Sequence, residues 1–287
     1  MKIKLSKNAY GKNAVNLSKI IRHKDYHEFR QISVNIALQG DFDSAHTEGD
    51  NSKLLPTDTQ KNTVYALAKQ HFTSGIEEFG IQLANHFTLN NPQLTLTRIE
   101  IEEHLYRRLS FDGKEHPHAY ISNGNEKHTT VVEQNKNSIT ITSGIKDLLI
   151  LKTTDSGFEH YIKDQYTTLK ETSDRILATQ CEAEWVYTSS QLDFSGKYNS
   201  IRNTLLKTFA FHKSLSVQQT LYAMGEAVLK EYDAVKEISL VMPNKHHILF
   251  NLEQFDIENK NEIFVATDEP FGYITGTVTR EDENSLQ

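Results

Sequence analysis

Apolar residues recur along the first half of this chain with two different spacings. Residues 31–39 alternate between apolar and polar side chains, which predicts a half-buried β-strand. Over 58–90 the apolar side chains lie three and four positions apart, which predicts helix, and Gly75 and Gly80 allow a break or bend there. Alternation among β-forming residues returns at 94–101 and predicts a further strand.

The second half of the chain repeats this order of patterns. Strand patterns occur at 138–143 and 183–187, and again at 237–242 and 262–266. Between them, a helical pattern covers 198–232 with an interruption at 214–216. We interpret each half as strand, strand, helices, strand, strand, with one strand on each side of the helices located by pattern in the first half. This order predicts an α+β protein made of two related halves.

Each long helical stretch begins with a Ser/Thr-x-x-Gln sequence. The two examples run from Thr57 to Gln60 and from Ser216 to Gln219, and they predict side-chain caps at matching points of the two halves. A helix start also offers free backbone N–H groups and a positive dipole end. The sequence therefore leaves open a second role for both places, which is the binding of a flat anion.

The charge balance, the cysteine count and the two termini exclude or disfavour several classes of protein. The 287 residues include 31 Lys and Arg against 38 Asp and Glu, and this mildly acidic balance argues against nucleic acid or an anionic membrane as the main partner. Cys181 is the only cysteine of the sequence, which excludes an intramolecular disulfide. The N-terminus has no apolar signal region and the last residues, Asn284 to Gln287, are not a peroxisomal Ser-Lys-Leu, so we expect a cytoplasmic protein.

A dense polar segment from Tyr166 to Leu177 places Arg175 directly before an apolar Ile-Leu pair. An arginine entering an apolar strand needs a partner, and its planar fork suits a flat anionic or carbonyl-rich ligand. The alternative interpretation is a surface helix that ends in an arginine paired with Asp174 or Glu171.

Histidines occur in two close pairs. The segment from Pro243 to His247 follows a predicted strand, which predicts a strand-end loop, a common place for reactive side chains. His116 and His118 would face one side of an extended segment, as metal ligands can, but no Cys or carboxylate cluster completes such a site. No Gly-rich phosphate loop follows a strand. We therefore expect neither a bound metal nor a nucleotide or flavin cofactor.

Several separate motifs together resemble the urate oxidase (uricase) family over nearly the whole chain, from about Asn8 to Arg280. In chain order they are Tyr10-Gly11-Lys12, Thr57-Asp58 with Lys61-Asn62-Thr63, Asp112-Gly113-Lys114 with His116-Pro117-His118, Gly157-Phe158, the segment from Tyr166 to Leu177, Ser216-Val217-Gln218, and Pro243-Asn244-Lys245-His246. Each motif alone is weak, but their joint occurrence in this order is specific.

The resemblance implies a tandem duplication of the ββααββ tunnelling fold (T-fold), with antiparallel sheets and helices on one face. The first repeat would span 1–136 and the second 137–280, with 281–287 as a flexible tail. Family members are homotetramers whose sheets close into barrels around a tunnel and whose active sites lie between subunits. The same assembly is therefore implied here.

Substrate-binding roles follow from the same resemblance. Arg175 and Gln218 would hold the edges of the purine, and Phe158 would stack on its face. The backbone N–H groups of Val217 and Asp58 would add hydrogen bonds.

Catalytic roles are implied for residues from both halves of the chain. Lys12 and Thr57 would come from the neighbouring subunit and form a proton relay with His246, in which Lys12 acts through Thr57 as the base. Asn244, together with Thr57, would hold dioxygen or water above the ring.

The implied reaction is the oxidation of urate by dioxygen and water to 5-hydroxyisourate, with release of hydrogen peroxide and without a cofactor. The protein would supply proton transfer, positioning and electrostatics. Two alternatives stay open at this point. One is a T-fold enzyme that acts on pterins, often with zinc, and the other is a purine-binding protein without activity, which would not need Lys12, Thr57 and His246 together.

Overall fold

The computed structural model describes residues 3–281, without the side chain of Asp268, and divides the chain into two compact units. The first unit contains the described residues up to Gly144 together with Val186–Tyr198. The second contains Ile145–Trp185 and the described residues from Asn199 onward. Apart from Glu281, the tail predicted over 281–287 lies outside the described residues.

The first unit is an antiparallel sheet covered by helices. Its elements are β1 Tyr10–Arg22, β2 His27–Gly40, α1 Asp43–Thr47, α2 Thr57–His71, α3 Ile76–Asn90, β3 Leu94–Phe111 and β4 Lys114–Gln134. The four strands pair in chain order, each antiparallel to the next. Helix α2 packs on β1, and α3 packs on β3 and β4.

The helix predicted over 58–90 is two helices, and only one of its two glycines lies at the break. Gly75 precedes α3 as its N-cap in an extended conformation. Gly80 lies inside α3, where a Cβ atom would approach Cγ2 of Val132 to 2.9 Å. Gly80 therefore allows close packing of helix on sheet and introduces no bend.

The second unit has the same order of elements with additions at its end. It contains β5 Ile139–Lys152 from Ile145 onward, β6 Leu177–Tyr187 up to Trp185 and α4 Phe194–Phe211 from Asn199 onward, and the remaining parts of these three elements belong to the first unit. Its other elements are α5 Val217–Glu231, β7 Val235–Val241, β8 Asn244–Leu249, the 3₁₀ turn Glu253–Phe255, β9 Phe264–Gly272 and β10 Thr275–Thr279. Strand β8 pairs with both β6 and β9, and β7 pairs with β10. Helix α5 packs on β7 and β10.

Helix packing in the second unit uses a glycine as in the first. A Cβ atom on Gly225 of α5 would lie 2.6 Å from Cγ2 of Val278 on β10. The buried core beneath α5 includes Ile238 and Leu240 of β7. The predicted order of strands and helices is thus confirmed in both halves, while the repeat boundary at 136/137 stays a prediction.

One prediction and one alternative interpretation of local structure are wrong. Pro243 to His247 is not a strand-end loop, because β8 begins at Asn244 and holds both histidines in a ladder with β9. The segment from Tyr166 to Ile176 is not a surface helix but irregular chain, with the Tyr166 side chain 80% exposed. Among the helices of residues 3–281, none is both long and apolar enough to cross a membrane.

Candidate functional site

The predicted site residues of the first unit, which we call the first cluster, are Lys12, Thr57 and Asp58. Lys12 lies on β1, and the strand approaches β2 so closely at Gly11 that a Cβ atom there would overlap the carbonyl oxygen of Ile36. Only glycine fits this position, which explains why it precedes Lys12.

The charge of Lys12 acts on Asp58 in the first turn of α2. The carboxylate of Asp58 accepts hydrogen bonds from the side chains of Lys61 and Asn62. The pKa of the Asp58 carboxyl is lowered from its ordinary value, first by the hydrogen bond and charge of Lys61 and further by the charge of Lys12. The ammonium group of Lys12 is therefore near enough to the first turn of α2 for its charge to act there.

The predicted cap at Thr57 is wrong. Pro56 occupies the N-cap position, no side-chain cap hydrogen bond forms, and Thr57 is the first helical residue. Gln60, the other half of the predicted capping pair, is fully buried and donates from Nε2 to the carbonyl of Leu55 at 3.1 Å. The hydroxyl of Thr57 therefore has no capping task, which leaves it available for other chemistry.

Two hydrogen bonds to Leu55, which the sequence did not predict, fix the chain just before α2. The hydroxyl of Tyr10 accepts a 2.8 Å hydrogen bond from the N–H of Leu55, and Gln60 binds the carbonyl of the same residue. Tyr10 precedes Lys12 on β1 by two positions, so the strand of Lys12 and the helix of Thr57 are joined through Leu55. Tyr10 belongs to the Tyr10-Gly11-Lys12 motif, but no local pattern in the sequence indicates that its hydroxyl binds Leu55.

The second unit holds the remaining site residues, which we call the second cluster: Phe158, Arg175, Val217, Gln218, Asn244 and His246. Backbone hydrogen bonds fasten three of its segments together. Arg175 N–H donates to Ser156 O at 2.6 Å, Gly157 N–H to Ser214 O at 2.8 Å, and Phe158 exchanges two bonds with Thr172. These bonds tie the Phe158 loop to the entry of β6 and to the residues just before α5.

Arg175 is a partly buried cation without a carboxylate partner in the described chain. The carboxylates expected to pair with it bind elsewhere: Glu171 pairs with Lys163 at 2.8 Å, and Asp174 accepts from Thr154 at 2.8 Å. Nε of Arg175 is buried and has no hydrogen-bond partner among the described residues. Burial lowers the pKa of its guanidinium from the ordinary value. The charge and hydrogen bonds of a bound anion would compensate the cost of this desolvation.

The start of α5 confirms the second predicted cap. Ser216 is the N-cap, its hydroxyl accepts from Gln219 N–H at 3.1 Å, and Gln219 in turn accepts from Leu215 N–H at 2.9 Å. The N–H groups of Val217 and Gln218 belong to the first turn, where no intrahelical acceptor exists. Val217 is buried and Gln218 is exposed, so the amide side chain projects from a fixed helix start.

Asn244 and His246 lie two positions apart on β8, which places them on one face of that strand. Asn244 is 9% exposed and pairs with Thr179 of β6, four residues after Arg175. His246 is half-buried opposite Thr267 of β9. Sheet pairing therefore fixes Asn244 beside the strand that Arg175 enters, while His246 is held by its pairing with β9, beyond a register shift between the two residues.

Other candidate chemistry is not supported. The rings of His116 and His118 lie 4.6 Å apart on β4, yet within residues 3–281 no three His, Cys, Asp or Glu side chains are grouped to hold a metal ion. Burial raises the pKa of the Cys181 thiol to about 12, so this cysteine is not a nucleophile.

Comparison with known proteins gives one family throughout. The uricase family model matches residues 8–133 and 141–275. Uricase from Arthrobacter globiformis is 43% identical over 280 residues, which cover 98% of this chain and 91% of that protein. Uricase from Oryctolagus cuniculus is 37% identical over 291 residues, covering 99% and 97%.

Solved structures agree with the sequence comparison. The crystal structure of Arthrobacter globiformis uricase superposes with a TM-score of 0.94 at 42% identity, covering 100% of this chain and 98% of that one. Urate oxidase from Bacillus sp. TB-90 matches with a TM-score of 0.83 at 21% identity, over 95% and 100% of the two chains, and this likeness supports the fold alone.

Proposed function

This chain belongs to the uricase family, and we propose how its two clusters carry out the reaction of that family. The protein is an oxidoreductase that acts on urate with dioxygen and water, giving 5-hydroxyisourate and hydrogen peroxide in purine degradation. The observation that carries the proposed site is Arg175, a desolvated cation with an unpartnered Nε beside an aromatic ring.

Arg175 binds the urate anion by two parallel N–H donors, because a guanidinium matches two acceptors on one edge of a planar ring. Phe158 stacks on the face of the purine, and two backbone hydrogen bonds to Thr172 hold the main chain of Phe158 in place. The N–H of Val217 and the amide of Gln218 complete the contacts at the start of α5, where the helix dipole also favours an anion.

Proton transfer uses residues of both clusters. Lys12 accepts a proton through Thr57, whose hydroxyl is not consumed by capping, and His246 completes the relay. Asn244, together with Thr57, holds dioxygen or water above the ring, while the N–H of Asp58 contacts the substrate. In this proposal the chain needs no metal or cofactor, since urate itself is electron-rich and the protein supplies positioning and charge stabilisation.

The active protein is proposed to be a homotetramer whose sheets close into barrels, with each site built from the first cluster of one subunit and the second cluster of its neighbour. The support is the family resemblance. A cytoplasmic location, expected from the sequence, stays a prediction.

The first experiment measures urate consumption by metal-stripped, flavin-free protein in air. We expect urate absorbance to fall with one dioxygen consumed and one hydrogen peroxide formed per urate, and we expect Arg175→Ala to abolish the loss. Activity that chelation removes and one metal restores would contradict the cofactor-free proposal. A folded protein that leaves urate unchanged would contradict the whole assignment.

The second experiment tests the shared site by complementation. Lys12→Ala and Arg175→Ala proteins, each inactive alone, are mixed under conditions that exchange subunits. If sites are shared, some interfaces of the hybrid contain both intact clusters and activity returns. Verified hybrids without activity would show that each site is built within one chain.

A further inference from the structure

Strand β1 contains a bulge directly after Lys12. Lys12 pairs with Ile36 of β2 and Val15 pairs with Val34, so β1 has one residue more than β2 between these two pairs. In a regular strand, residues three positions apart face opposite sides of the sheet. The extra residue therefore changes which side of the sheet Lys12 faces relative to Val15.

The bulge places Lys12 on the side of α2. Residues directly opposite each other in an antiparallel pair share a face, and both Ile36 and Val34 are buried in the core. Val15 is buried on this same side, and α2 packs on β1 there. Without the extra residue, β1 could bury Val15 or direct Lys12 towards the start of α2, but not both.

The bulge is strained and is held by one side chain. Ala14 has a φ of 55°, in the left-handed region that is unfavourable for alanine. Its N–H donates to Oδ1 of Asn35 at 2.8 Å. On its other side the amide of Asn35 donates from Nδ2 to Glu100 at 3.4 Å, and Glu100 is itself paired with Arg98 at 2.7 Å.

We propose that Asn35 is a positioning residue for catalysis, which holds the bulge at Ala14 and thereby directs Lys12 towards Thr57. The proposal rests on the role of Lys12 in the proposed function. The side chain of Asn35 forms hydrogen bonds with Ala14 and Glu100 in the described chain, and the proposed function gives it no contact with the substrate. The hydrogen bond to Glu100 orients the Asn35 amide so that its oxygen faces the N–H of Ala14. The bond to Ala14 holds the bulge, and the bulge sets the side of the sheet that the Lys12 side chain faces.

The test compares three variants on the same strand. Asn35→Ala removes the acceptor, Asn35→Asp keeps an acceptor for Ala14, and Ser33→Ala is a matched control two positions away on the same face. We expect Asn35→Ala to lower kcat for urate about tenfold or more while KM changes less than about twofold, because a small misplacement of a reacting group is costly. Asn35→Asp should keep kcat within about threefold of the wild type, and Ser33→Ala should match it.

Four outcomes would overturn the proposal. Wild-type kcat in Asn35→Ala would do so, as would a loss confined to KM, a loss of the same size in Ser33→Ala, or a defect in Asn35→Asp as large as that in Asn35→Ala. If Asn35→Ala does not fold, Asn35→Gln replaces it, because glutamine keeps the amide but moves its oxygen away from Ala14.

A double variant separates this proposal from the function on which it rests. If Lys12→Met alone is slow and Asn35→Ala causes no further loss of kcat in that background, Asn35 acts through Lys12. Wild-type turnover in Lys12→Met would instead reject the proposed role of Lys12. A slow Lys12→Met together with a fully active Asn35→Ala would reject only the role of Asn35.

Discussion

The guanidinium carbon of Arg175 lies 5.3 Å from the centre of the Phe158 ring, so a cation and an aromatic face are held side by side. Cation–π attraction stabilises this arrangement in the absence of substrate. The contact orients the guanidinium while leaving its Nε without a hydrogen-bond partner in the described chain. The Arg175 side chain is therefore already ordered, and binding of a ligand costs it little conformational entropy.

Replacement of Arg175 tests the planar two-donor contact. Arg175→Ala should weaken urate binding by roughly 2–4 kcal/mol, in the range for truncating one partner of a buried charge pair. Arg175→Lys should recover little, because an ammonium group cannot donate two parallel bonds. Anaerobic binding of urate measures both. Lys170→Ala removes an exposed positive charge from the same segment and should bind normally; near-normal affinity in Arg175→Lys would contradict the assigned contact.

Thr57 and Ser216, the two residues predicted as caps, should behave differently when changed to alanine. Ser216→Ala should cost about 1 kcal/mol of unfolding free energy, because its hydroxyl accepts from Gln219 N–H. Thr57→Ala should keep its stability, since Thr57 caps nothing, and should lose most of the chemical step. Denaturant unfolding and single-turnover rates on both variants decide this.

The relay predicts that its members act as one unit. Lys12→Met and Thr57→Ala should each slow the chemical step, and the double variant should be scarcely slower than either. Urate should still bind, because Arg175 and Gln218 are intact. A stable Thr57→Ala protein with full turnover would contradict the proposed proton relay.

Glu77 should make the first unit sensitive to acid. This carboxylate is fully buried, 2.9 Å from His128 Nε2, and also accepts a hydrogen bond from Ser143. Burial alone would raise its pKa, but the charge of His128 and the two hydrogen bonds outweigh burial and lower it below the ordinary 4.5. The stabilisation is therefore present above about pH 4.5 and is lost as pH falls through the folded-state pKa.

Two variants at adjacent positions check that sign. Glu77→Gln should be less stable than wild type at neutral pH, with a difference that shrinks as the pH falls below 4.5. Burial raises the pKa of the neighbouring Glu78, so Glu78→Gln should gain stability at neutral pH. Urea unfolding between about pH 3 and 7 measures both, and an effect of Glu77→Gln that stays the same down to about pH 3 would refute the assignment.

Ala14→Gly should stabilise the protein without slowing it. Glycine adopts a φ of 55° without the penalty that alanine pays, and it keeps the N–H that donates to Asn35. After subtraction of the greater flexibility of glycine in the unfolded chain, we expect a gain of about 0.5–1 kcal/mol. Denaturant unfolding provides the measurement, and a less stable variant would show that the left-handed residue is not a source of strain.

Cys181 should be inert in the folded enzyme. Its thiol is 1% exposed on β6, and burial raises its pKa to about 12. An alkylating reagent at about pH 8 should modify no cysteine in native protein and one per chain after unfolding. Cys181→Ala should retain turnover; rapid labelling of the native enzyme would contradict this.

The sequence by itself determined the order of elements, because alternation and three-to-four spacing are local patterns. The buried faces of β2 and α3 follow directly from the spacing of their apolar residues. Arg175 was also visible as an arginine that enters an apolar strand. Strands β1 and β4 could not be located in this way, because polar and charged side chains interrupt their alternation.

The tertiary structure alone decided which of the candidate side chains have a partner. Asp174 and Glu171 bind neighbours other than Arg175, and Pro56 takes the N-cap position expected for Thr57. The side of the sheet that Lys12 faces depends on one extra residue in β1 and on an amide from β2. Strand register and hydrogen-bond competition are set by residues distant in sequence, so no local pattern contains them.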